Sequence, residues 1–144
     1  MSNIGESKVY NKIYNRDDVL LWDVIEFQDN TTLKVNIIST NSKYKQGIRI
    51  AVDFGDGLID INGLTGKEFY LMEDTCPKDA IVKVSSKRGK LSVYNVYERT
   101  DGNLRSLGDY SGMIVKENGK YREYRCTTSS IDDFNTLVFS IEIT

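Results

Sequence analysis

The chain has no histidine among its 144 residues, and that absence excludes more chemistry than any motif it carries supports. Without imidazole there is no Ser-His-Asp or Cys-His activation of a nucleophile, no HExxH zinc site and no histidine-ligated haem. Cysteine is scarce: Cys76 and Cys126 stand alone, neither in a CxxC or Cys/His pattern, so a zinc knuckle is excluded and two reduced thiols are expected, with one bridge between them as the alternative. Proline occurs once, at Pro77 after Cys76, where it marks a loop rather than a linker. No long apolar run exists, because Asp23 and Glu26 interrupt the richest stretch, Val19 to Phe27, well short of a membrane span. Excess charge is also missing: Lys and Arg number 19 against 21 Asp and Glu, which removes any global attraction to nucleic acid or an anionic membrane.

Other fingerprints fail on spacing. There is no GxxxxGK[ST] phosphate loop, and Gly55-Asp56-Gly57 does not continue as GxGxxG. An EF-hand register from Asp53 puts its third and fifth ligand positions on Gly55 and Gly57, which offer no side-chain oxygen. Neither a cofactor nor a metal is therefore expected. The first residues lack the basic and apolar regions of a secretory leader, so a cytoplasmic setting is expected.

What is present is alternation. Leu33, Val35 and Ile37 share one face while Lys34 and Asn36 take the other; Leu137, Phe139, Ile141 and Ile143 do the same against Ser140 and Glu142. Ile48, Ile50, Val52 and Phe54 form a third apolar face, and Lys67 to Met72 read as a further strand. Strands recurring at this spacing predict an all-β, single-domain antiparallel β-sandwich or jelly roll over residues 8–144, preceded by a flexible segment at 1–7. Three hairpins are expected: Gly55-Asp56-Gly57, Lys87-Arg88-Gly89-Lys90 and Asn118-Gly119 each join two alternating runs. The stretch from Asn15 to Phe27 reads as a strand buried on both faces, with one short helix near residues 16–26 as the alternative.

The longest connection, Arg99 to Ser111, directs attention to function, because loops of this length are often the working part of a domain. The leading expectation is a non-catalytic binding or adaptor module that engages a protein or carbohydrate through loops at one end of the fold. Its candidate partner-binding residues are Tyr97, Arg99, Asp101, Arg105, Asp109 and Tyr110, and no catalytic residue is assigned. The alternative is a small carboxylate-dependent, glycosidase-like hydrolase using Glu98, Asp101 and Asp109, which needs no histidine. A third reading, single-stranded nucleic-acid binding, draws on Lys83, Lys87, Arg88 and Lys90 and on Lys116, Lys120, Arg122 and Arg125 with Tyr121 and Tyr124 interleaved. Glu117 and Glu123 dilute that second cluster.

Overall fold

The computed structural model describes residues 4–53, 55–108, 110–128 and 133–144. Its strands are β1 (Val9–Tyr10), β2 (Leu20–Glu26), β3 (Asn30–Thr40), β4 (Lys45–Ala51), β5 (Leu58–Ile61), β6 (Leu64–Gly66) and β7 (Glu68–Met72). They continue with β8 (Ala80–Ser85), β9 (Lys90–Glu98), β10 (Leu104–Ser106), β11 (Gly112–Asn118), β12 (Tyr121–Thr127) and β13 (Leu137–Ile143). A single 3-10 turn at Lys12–Tyr14 is the one helical element among the described residues. Within the segment from Asn15 to Phe27, Leu20–Glu26 form the strand β2, while Asn15 caps the 3-10 turn and residues 16–19 are neither strand nor helix.

All pairings are antiparallel, in the order β6-β5-β8-β3-β13-β12-β11-β2-β9-β4-β7, with β1 beside β2 and β10 beside β9. The two end strands, β6 and β7, are consecutive in the chain and separated by Lys67 alone. Covalent continuity therefore brings the edges of the sheet together. Val52 donates to the Lys67 carbonyl at 2.9 Å, and Lys67 Nζ donates to the carbonyls of Gly55 and Gly57 at 2.9 and 3.0 Å. The outcome is one antiparallel sheet nearly closed into a barrel, an arrangement that leaves little free strand edge. A second corner lies in β2, where Leu20 pairs with Met113 but the residues from Asp23 onward pair with β9.

The alternation read from the sequence fills the interior. Leu33 and Val35, Ile48 and Ile50, Leu91 and Val93, and Phe139 and Ile141 are all buried. Tyr124 lies opposite Phe139 in the ladder and stacks on it, with ring centroids 4.5 Å apart and planes 9° apart. One carboxylate enters this interior. Asp23, which only interrupts an apolar run in the sequence, is 1% exposed and accepts from Tyr124 Oη at 2.6 Å and Arg122 Nη1 at 3.1 Å.

Of the three expected hairpins only the one at Asn118-Gly119 pairs its flanking strands, with Asn118 opposite Tyr121. The other two are corrected. Gly55 and Gly89 do adopt positive φ, 81° and 65°, yet β4 pairs with β7 and β9 while β5 pairs with β6 and β8. Likewise β8 pairs with β3 and β5, whereas β9 pairs with β2, β4 and β10. The turn chemistry is met locally, but each connection carries the chain across the barrel instead of folding it back. Phe54, expected on the face of Ile48, lies outside the described residues. Among the first seven residues, Ile4 packs on the core, and the carbonyls of Glu6 and Ser7 accept from Lys90 Nζ at 2.7 Å and Trp22 Nε1 at 2.8 Å.

Candidate functional site

The strand register gathers several connections at one end of the barrel. Thr40 stands opposite Leu137, Glu98 opposite Lys45 and Leu104, and Met72 opposite Gly47. Residues 41–44, 73–79 and 99–103 therefore emerge together. The expected long loop is not a loop throughout: β10 folds back on β9, with Arg105 opposite Tyr97. The tight turn is set by hydrogen bonds from Arg99 N–H to the Asn103 carbonyl and from Gly102 N–H to the Arg99 carbonyl, both 2.9 Å.

The structure brings four of the six sequence-predicted residues, Tyr97, Arg99, Asp101 and Arg105, onto this one hairpin. Asp101 accepts from Asn103 N–H at 3.0 Å and lies 3.8 Å from Arg105 Nη2. The Asn103 backbone donor, with smaller help from Arg105 and Arg99, holds its carboxyl below the usual range. Tyr97 packs on Tyr44 at 5.7 Å between ring centroids. Tyr110 is set apart, its carbonyl accepting from Tyr14 Oη, and Asp109 lies outside the described residues. Glu98, offered for hydrolysis, sits 3.4 Å from Lys45 Nζ, which also pairs with Asp74 at 2.7 Å. In the second basic cluster, Arg122 turns to Asp23 and Glu117, and Arg125 pairs with Glu123 at 3.4 Å.

A recess lies at this same end, on the outer face of β3, β13 and β12. It is a groove of about 660 Å³ whose wall is the 73–79 connection. Its floor is the solvated face that alternation marks in the sequence. Lys34, Glu142 and Tyr121 form one cross-strand row, and Asn36, Ser140 and Glu123 form the next. Lys34 and Glu142 pair at 3.4 Å, and Ile38, half exposed, adds an apolar surface to the lining.

Four side-chain contacts fix the wall over this floor. Asn36 Nδ2 donates to Asp79 Oδ1 while Asp79 N–H donates to Asn36 Oδ1, each at 2.6 Å. Glu73 accepts from Thr40 Oγ1 at 2.9 Å and from the Gln46 N–H at 2.8 Å. Cys76, half-buried in the wall, has its thiol pushed up by burial, so it is a poor nucleophile at neutral pH. Both cysteines are free thiols. No group of three or more acidic or cysteine side chains among the described residues is arranged to hold a metal ion, and none of their helices is long and apolar enough to cross a membrane.

Sequence reasoning missed this groove because its wall and floor are far apart in the chain. The Asn36–Asp79 contact spans 43 positions, and only the floor left a signal. Comparison with known protein families, with characterised proteins and with solved structures gives no match.

Proposed function

We propose that this protein is a non-catalytic binding module that takes a protein or carbohydrate partner at one end of the barrel, with the groove beneath residues 73–79 as its receiving surface. The observation that carries the reading is the preorganised wall: paired contacts between the connection and β3 hold a recess of ligand size in a fixed shape. Of the two partner classes a neutral carbohydrate suits the lining better. Lys34, Glu142, Glu73 and Asp79 are already engaged within the protein, so a ligand charge must compete with internal partners everywhere in the lining except at Lys78. A polyol can instead use the remaining lone pairs and the hydroxyls of Ser140 and Tyr121 while resting on Ile38 and the Tyr121 ring.

The sandwich or jelly-roll reading is retained here as a flattening of the barrel, with β2 and the β6–β7 run turning its corners. A reducing compartment such as the cytoplasm is the setting we propose for the two free thiols.

The test is calorimetric titration of the full chain with ligands selected from glycan and peptide arrays. Tyr121→Ala and Ile38→Ser should each weaken binding about tenfold with the melting temperature unchanged, and Arg105→Ala should leave affinity intact. Binding that survives both groove variants but is lost in Arg105→Ala would move the site to the β9–β10 hairpin. A peptide ligand seated in the groove would exchange the partner class while keeping the site.

A further inference from the structure

The interior of the same barrel end holds two amide side chains whose oxygens meet no donor among the described residues. Gln46 on β4 and Asn95 on β9 are 0% and 2% exposed. Gln46 Nε2 donates to the Tyr44 carbonyl at 3.2 Å, and Asn95 Nδ2 donates to the Thr127 carbonyl at 3.1 Å. These bonds fix which end of each amide is the oxygen, since a flip would set a carbonyl oxygen against a carbonyl oxygen. Neither Gln46 Oε1 nor Asn95 Oδ1 has a hydrogen-bond partner among the described residues.

Register makes the two amides neighbours on one face of the sheet. Gln46 lies opposite Tyr97 and Ile48 opposite Asn95, so Gln46 and Asn95 are diagonal neighbours on one face of an antiparallel pair, a separation that long side chains bridge. A buried carbonyl oxygen left without a donor is destabilising, and native interiors answer such groups with a protein donor or an internal water.

We infer that Gln46 Oε1 and Asn95 Oδ1 form an internal site for one small molecule with two polar hydrogens, the size and chemistry of water, bridging β4 and β9 beneath the end loops. This site needs no partner in the groove, although the Gln46 N–H also donates to Glu73 of the groove wall. It would give the barrel end a polar cross-link where the apolar core stops.

The test is a water-selective nuclear Overhauser experiment on the labelled full chain, combined with a double-mutant cycle. Ile48 is fully buried and directly opposite Asn95, so its methyl protons should show a long-lived cross-peak to water, and the buried methyls of Val35 should not. Gln46→Met and Asn95→Leu should each lower the melting temperature, and because both remove the same bridge while each also loses its own donor bond, the double variant should lose clearly less than the sum of the two single losses. Absence of the Ile48 cross-peak, or fully additive losses, would overturn the inference. Should Asn95→Leu fail to fold, loss of the Ile48 cross-peak in Gln46→Met alone decides for the bridge, and its persistence there decides against it.

Discussion

Asp23 shows how one residue can be invisible as a signal and central to the interior. A carboxylate this deeply buried is tolerated because Tyr124 and Arg122 both donate to it and Val24 N–H adds a third bond at 2.9 Å. Tyr124→Phe should therefore cost about 2 kcal/mol, and Asp23→Ala, which strands a buried hydroxyl and leaves Arg122 without its deepest partner, about 3 kcal/mol; urea unfolding monitored by fluorescence measures both. The same tyrosine makes the fold sensitive to alkali. Burial, reinforced by Asp23, raises the Tyr124 hydroxyl well above its ordinary value of 10.0, and burial raises the Cys126 thiol well above 9.0. The folded state keeps these protons where the unfolded chain loses them. Their stabilising contribution is thus complete below the ordinary values and declines as pH rises past them toward the folded ones. The melting temperature of the native chain should fall progressively above that range, and Tyr124→Phe should fall less steeply; equal slopes would assign the alkaline loss to other groups.

At the scale of elements, two turn glycines with nearly equal φ make different demands. Gly89, φ 65°, has its absent Cβ position 2.0 Å from the Phe27 carbonyl oxygen, whereas Gly119, φ 63°, has nothing within 4 Å. Gly119→Ala should cost only the conformational strain, about 1 kcal/mol. Gly89→Ala should cost clearly more, because it must break the 2.8 Å bond from Phe27 N–H to the Gly89 carbonyl that joins the β8–β9 connection to the end of β2; paired urea midpoints compare them. These glycines also explain what was legible in the sequence. Positive-φ turns at 55, 89 and 119 are written in local residue chemistry, but only at 119 do the flanking strands pair, because pairing is decided by which surfaces bury each other. Strand positions were legible where side chains alternate in kind, as in β3, whose inner face is buried and outer face wet, and in β13, whose outward Ser140 is nevertheless buried. β10 was hidden inside an apparent loop, and the groove wall was hidden because Asp79 meets Asn36 only after the chain has crossed the barrel.

For the whole molecule, closure follows from a covalent fact. The strands at the two ends of the sheet order are joined through one residue, so the sheet cannot open flat without bending or breaking the β6–β7 run. In the closed sheet β3, β13 and β12 lie side by side, and the β7–β8 connection lines the groove over their outer face.

The most direct measurement is a two-dimensional amide NMR titration of the isotope-labelled full chain with the array-selected carbohydrate. Saturable shifts are expected at Lys34, Asn36, Ile38, Asp79, Tyr121 and Ser140, with Arg99 to Arg105 unmoved. Shifts centred on the β9–β10 hairpin, or none at the groove while binding is seen by calorimetry, would rule out the groove as the binding surface.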